Sequence, residues 1–161
     1  MNPTVLIVED NDNLRGLLTE ALLHFGWKKS ELIVCLNGES ADAVLRNADL
    51  AARVDVVLCD FNLGPGLNGV DLFDRYAAKF SGRWILHTGN PEAAPRRPGI
   101  IVFSKPVDLE RLASTLRTSA SVGTPAKPVK CATCCCWFND EDVCTEGRVC
   151  VDHQPVEGTA E

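Results

Sequence analysis

A chain of 161 residues, 45% hydrophobic and 24% charged, has room for one ordinary globular domain and a short extension. Its net charge of −6 argues against a general affinity for nucleic acid, whose phosphates attract basic surfaces. No run approaches the roughly 18 apolar residues that span a bilayer, and the apolar run 5–8 follows no basic leader, so neither a membrane nor a signal peptide is expected and the location expected is the cytoplasm.

Residues 4–8 (TVLIV) predict a strand that ends on two acidic residues. From 12 to 25, Leu14, Leu17, Leu18, Ala21, Leu22 and Phe25 recur at helical spacing, and Gly26 closes the helix. Residues 31–36 (ELIVCL) predict a second strand, followed by a helical stripe of Ala41, Val44, Leu45 and Ala48. A third strand, 54–60 (VDVVLCD), leads through a loop with Gly64, Pro65, Gly66 and Gly69 into a helix carrying Val70, Leu72, Phe73 and Tyr76. Residues 83–89 and 100–104 predict the fourth and fifth strands, and Leu109, Leu112 and Leu116 mark a last helix that starts near Asp108. Between the fourth and fifth strands, Pro91, Pro95 and Pro98 leave no room for a helix beyond a turn or so. After Arg117 the stretch SASVGTPAKPVK has almost no apolar content and predicts an extended linker.

Continuous apolar strands alternating with amphipathic helices imply an α/β fold, a five-stranded parallel sheet covered on both faces and doubly wound. The helix between its fourth and fifth strands is shortened or missing. Ligands in such sheets sit at the carboxyl ends of the strands, near the point where strand order reverses. The residues there are Glu9 and Asp10, then Asp60, then Thr88, then Lys105 with Pro106 behind it. Taken singly, each has a bland explanation: a carboxylate pair opens a helix, Asp60 and Thr88 serve turns, and a lysine is solvated. No structural requirement asks for all of them at four strand ends in this order. Three carboxylates at one sheet edge repel one another unless a cation joins them, and oxygen-only ligation suits a hard ion such as magnesium. A hydroxyl and an ammonium beside them could bind a transferred phosphoryl group, a reaction that depends mainly on positioning and charge neutralisation.

These motifs (LIVED, VVLCDFNLGPGLNGVDLF, HTG and SKPV) resemble the receiver domains of two-component response regulators, over about 115 residues. The resemblance implies that Asp60 is the phosphoacceptor and that Asp10 and Asp60 bind magnesium directly. It also implies that Glu9 acts through a bound water and that Asn62 offers its backbone carbonyl to the ion. Thr88 becomes the switch hydroxyl, Lys105 the charge partner of the phosphoryl group, and Pro106 follows it in a cis peptide. The implied partner is a sensor histidine kinase or phosphotransfer protein, and the implied output is a contact with a downstream protein, without nucleic acid or membrane. The chain is then a signalling protein rather than a metabolic enzyme. Two departures concern the relay of the signal. The family usually carries Tyr or Phe three residues before the lysine; here that position is Val102, and Phe103, one place later, is expected on the other face. The spacing from Thr88 to Lys105 is also shorter than usual.

The expected organisation is a receiver over 1–118, a linker over 119–130, a cysteine-rich segment over 131–153 and a tail over 154–161. Cys35 and Cys59 lie in apolar runs and read as core residues, whereas six cysteines crowd between 131 and 150. Beyond residue 130, seven carboxylates face Arg148 alone. The thiolates Cys131, Cys134, Cys144 and Cys150 are the strongest quartet for a tetrahedral zinc site, with Cys135, Cys136 and His153 as substitutes and Trp137 and Phe138 as a small apolar anchor. An iron–sulfur cluster, redox-active thiols and disordered sequence are the competing readings. They carry the alternative function, a metal- or redox-sensing protein whose receiver serves as a docking scaffold.

Overall fold

The computed structural model of the chain describes residues 2–92, 94, 99–119, 129, 130, 137 and 138. Strand β1 (Val5–Val8) leads into helix α1 (Asp12–His24), and a single 3-10 turn (Lys29–Glu31) precedes β2 (Leu32–Cys35). Then follow α2 (Gly38–Arg46), α3 (Ala48–Ala51), β3 (Val56–Asp60), α4 (Gly69–Tyr76), β4 (Arg83–Thr88), β5 (Ile100–Ser104) and α5 (Leu109–Ser119). The five strands form one sheet in the order β2-β1-β3-β4-β5, and every neighbouring pair is parallel. The chain leaves β1 toward one edge and later returns past it toward the other. The order therefore reverses between β1 and β3, and the crevice of a doubly wound sheet opens at their carboxyl ends.

Side chains alternate across the sheet and supply two cores. Val5, Ile7, Val56, Leu58, Ile85 and Phe103 pack with Leu18 and Leu22 of α1 and Leu112 and Leu116 of α5. Leu6, Val8, Val57, Cys59 and Trp84 pack on the opposite face with Ala41 and Leu45 of α2 and Leu72, Phe73 and Tyr76 of α4. The central strands β1 and β3 are buried along their whole length, the pattern expected of strands covered on both faces. On the edge strands, Val34 and Val102 are exposed. Asparagine begins each of the first four helices: the side chains of Asn11, Asn37, Asn47 and Asn68 accept bonds from backbone N–H groups of the following turn.

The stripe from Ala41 to Ala48 is not one helix. Asn47 ends α2 in an extended conformation, and its side-chain oxygen accepts from the N–H groups of Asp49 and Leu50, starting α3 anew. Asp42 is a charge inside the fold. It is 3% exposed, accepts from the Tyr76 hydroxyl and from Arg75, each at 2.7 Å, and pairs with Arg46, so it ties α2 to α4. The bond from Tyr76 and the two guanidinium groups hold its carboxyl below the usual carboxylate range.

Among the described residues no helix lies between β4 and β5; Pro91 and Glu92 form a turn, and Gly99 leads into β5 with φ +86°. Helix α5 runs to Ser119, one residue past the expected boundary. The last two residues of the expected linker are β6 (Val129–Lys130), paired antiparallel with β7 (Trp137–Phe138). The cysteine quartet Cys131, Cys134, Cys144 and Cys150, with Cys135, Cys136 and His153, lies outside the described residues. No helix among the described residues is long and apolar enough to cross a membrane.

Candidate functional site

Backbone hydrogen bonds carry the sheet past each strand end and hold the polar residues there in register. Glu9 N donates to Cys35 O at 3.2 Å, Phe61 N to His87 O at 3.1 Å, and Lys105 N to Thr88 O at 2.8 Å. The Lys105–Pro106 peptide is cis. Asp60 is the last residue of β3 and stands opposite His87 in β4. Glu9 continues the parity of Val5 and Ile7, and His87 that of Ile85, so both are directed to the face covered by α1 and α5.

The side chains meet there. Lys105 Nζ lies 2.7 Å from Asp60 Oδ2 and 3.3 Å from Glu9 Oε2. Glu9 is fully buried and Asp60 5% exposed, while the Lys105 side chain between them is 26% exposed and reaches the cleft. Burial first, and then the charge of Asp60, push the Glu9 carboxyl above its ordinary range. Burial alone would lower the Lys105 ammonium; the bond it donates to Asp60 and the charges of Asp60 and Glu9 outweigh it and raise it.

His87 was not among the residues that sequence reasoning selected. It is fully buried, with Nε2 3.4 Å from Glu9 Oε2, yet neither ring nitrogen has a hydrogen-bond partner. The separation admits an ionic contact without the alignment of a hydrogen bond. Leaving such a group unpaired costs about 1–3 kcal/mol. Burial, then the charge of Lys105, push the imidazole down to about 4. The only sign of this residue in the sequence is one polar letter inside the apolar run WILHT.

Asp10 takes a different position. It is exposed and lines an open cleft with Glu9, Asn11, Asn13, Leu14, Leu17, Asp60 and Lys105. Among the described residues, the three potential ligands whose donor atoms all fall within 4.8 Å of one another are Glu9, Asp60 and His87, and Asp10 stands outside that group. Asn62 is exposed, and its N–H donates to Asp60 Oδ1 at 3.2 Å, which keeps its backbone beside the carboxylate. Thr88 is 1% exposed, and its Oγ1 accepts from Asn90 N at 3.1 Å. Phe103 is buried against α5 with Arg111 over its ring, while Val102 is exposed on the opposite face, the arrangement expected from strand parity.

Two close approaches fix Asp60 from behind. A Cβ on Gly69, the first residue of α4, would lie 2.6 Å from Asp60 O and 3.1 Å from Cys59 Sγ, so only glycine allows the helix this near. Cys59 Sγ lies 3.2 Å from Asp60 O and donates to it; burial raises its thiol well above the ordinary value, which keeps it inert.

No protein-family model matches the chain, and no curated protein matches it by sequence. Among solved structures, it is similar to the signal receiver domain of an HD domain-containing protein from Pseudomonas fluorescens Pf-5, with TM-score 0.63 and 24% identity over 75% of this chain and 96% of that one. The receiver domain of NtrX from Brucella abortus matches with TM-score 0.61 and 21% identity, over 74% of this chain and 99% of that one. The Francisella response regulator 1452 receiver domain matches with TM-score 0.60 and 18% identity, over 74% and 98%. The five-stranded sheet and its helices have the fold of signal receiver domains.

Proposed function

We propose that this chain is a two-component response regulator that accepts a phosphoryl group on Asp60 from a sensor histidine kinase or phosphotransfer protein and signals by contact with a downstream protein. The observation that carries the reading is the contact of Lys105 with both Asp60 and Glu9 at the carboxyl edge of a sheet with the receiver fold. Residues 1–118 then form the receiver, joined by 119–130 to the cysteine-rich segment.

In this reading an Asp60 oxygen attacks the phosphorus of a phosphohistidine. A P–O bond forms, the P–N bond breaks, and the departing imidazole takes a proton from solvent. Lys105, already bonded to Asp60 Oδ2, stays as the charge partner of the aspartyl phosphate. Thr88 Oγ1, which accepts from Asn90 N, turns to donate its O–H to a phosphoryl oxygen. Asp10, Asp60 and the backbone carbonyl of Asn62 would hold a magnesium ion, which suits oxygen donors and would neutralise charge on the phosphoryl oxygens.

Incubation with radiolabelled acetyl phosphate tests the reading. The expected result is magnesium-dependent incorporation of a hydroxylamine-labile label that is absent from Asp60→Asn. Undiminished labelling of Asp60→Asn overturns the assignment.

A further inference from the structure

The phosphoacceptor reading leaves His87 without a task. A fully buried imidazole with two unpartnered nitrogens has no structural purpose that an apolar side chain would not serve better at this point of β4. Its Nε2 lies 3.4 Å from Glu9 Oε2, and its ligand atom, one of Glu9 and one of Asp60 all lie within 4.8 Å of one another. We propose that Glu9, Asp60 and His87 form an inner cation site that binds a transition-metal dication such as zinc or cobalt in preference to magnesium, and that its occupation withdraws Asp60 from phosphoryl transfer.

The donor set decides the choice of ion. Magnesium demands near-octahedral oxygen ligation and keeps several waters, which a buried pocket with one nitrogen does not offer. Imidazole suits zinc, cobalt and nickel, and two carboxylates with one imidazole leave a fourth tetrahedral position open to water. Bonds of about 2.0–2.2 Å hold tetrahedral ligand atoms roughly 3.3–3.6 Å apart. The His87–Glu9 separation already has that value.

Lys105 supplies the missing charge when no metal is bound. Its ammonium contacts both carboxylates, and its side chain is 26% exposed, so a dication can displace it into the open cleft lined by Asp10, Asn13, Leu14 and Leu17. The inner site differs from the outer magnesium site in using Glu9 and His87 instead of Asp10 and the Asn62 carbonyl. The two share Asp60, so an ion in the inner site competes with magnesium for its carboxylate. Metal binding at the inner site stands without the phosphoacceptor reading; the inhibition rests on it.

Cysteine thiolates are ligands for the same ions, so the test uses the full chain with Cys131, Cys134, Cys135, Cys136, Cys144 and Cys150 all replaced by serine. Titration with cobalt(II) chloride, followed by visible absorption and calorimetry, should show about one equivalent bound. His87→Leu and Glu9→Gln should each weaken cobalt binding by at least about tenfold, and His87→Leu should leave magnesium chloride affinity unchanged. Zinc chloride added beside magnesium should suppress acetyl phosphate labelling in the His87 protein and spare it in His87→Leu. Cobalt affinity equal in His87→Leu and its parent, or no cobalt binding in the parent, overturns the inner site. Loss of cobalt binding in a chain that acetyl phosphate never labels leaves the inner site standing and removes the phosphoacceptor reading.

Discussion

Lys105 Nζ stands 2.7 Å from Asp60 Oδ2, so the ammonium that follows β5 is the counter-charge of the carboxylate that ends β3. The same ammonium reaches the carboxylate of Glu9, which is fully buried; His87 Nε2 stands 3.4 Å from that carboxylate, and Arg15 donates to the Glu9 backbone carbonyl at 3.0 Å. Lys105→Met therefore leaves two carboxylates facing each other with nothing between them. Breaking a fully buried pair costs about 3–5 kcal/mol, and the partial exposure of Lys105 lowers the expected loss to about 2–3 kcal/mol at pH 7 in chelator. Added magnesium should restore part of it. Urea denaturation with and without magnesium measures both effects, and an unchanged midpoint in chelator contradicts the pairing.

The acid limb of the stability curve should report His87. Its folded value of about 4 lies below the ordinary 6.5. The unfolded chain thus binds more protons between those values, and the contribution of His87, fully present above 6.5, is lost as pH falls toward 4. The difference corresponds to about 3 kcal/mol. Glu9 acts in the opposite sense: its raised carboxyl favours the fold as pH falls toward 4.5, and Asp60 and Lys105 are the other charged groups facing the ring. His87→Leu should accordingly lose about 2–3 kcal/mol less than the parent between pH 7 and pH 4.5. Parallel stability curves for the two proteins rule this out.

Gly69 and Gly16 should respond to alanine with opposite signs. A Cβ at Gly69 meets Asp60 O at 2.6 Å, and neither backbone can yield without moving the acceptor, so Gly69→Ala should cost about 1–3 kcal/mol and reduce labelling of Asp60. Gly16 lies inside α1 with nothing within 4 Å of its would-be Cβ. Gly16→Ala should stabilise the protein by about 0.5–1 kcal/mol. Thermal denaturation of the pair decides; a neutral Gly69→Ala removes the claim of close approach.

The sheet was legible because burial on both faces demands unbroken apolar runs, and 5–8, 56–59 and 84–86 are such runs. Its strand ends were legible for the complementary reason: carboxylates and a lysine end those runs abruptly. What escaped depends on contacts across the fold. The break at Asn47 follows from a side-chain oxygen turning back on two N–H groups, although Ala41, Val44, Leu45 and Ala48 keep helical spacing through it. Burial of Asp42 requires Tyr76 and Arg75 from a helix more than thirty residues on. The meeting of His87 with Glu9 depends on β3 lying between β1 and β4 and on strand parity, neither of which a single polar letter in an apolar strand announces.

Thr88 offers the last test of the proposed switch, because the position three before Lys105 carries no aromatic side chain. Its hydroxyl is 1% exposed and is committed to Asn90 N at 3.1 Å, while the residue three before Lys105 is the small, exposed Val102 and the aromatic Phe103 points into the core. Val102 therefore offers no ring that could follow the hydroxyl inward when it turns to a phosphoryl oxygen. The response should stay local, confined to the carboxyl end of β4 around Thr88, Gly89 and Asn90. Thr88→Ala should keep most of the Asp60 labelling, since Asp60 and Lys105 remain paired, and should cost about 1 kcal/mol of stability through the lost bond to Asn90 N. Amide NMR spectra before and after acetyl phosphate provide the readout. The parent should shift near residues 88–90 and Thr88→Ala should shift much less. Equal shifts in the two proteins show that Thr88 is not the switch, and shifts in the parent that spread across Val102 and the exposed face of β5 show that the relay works without an aromatic side chain.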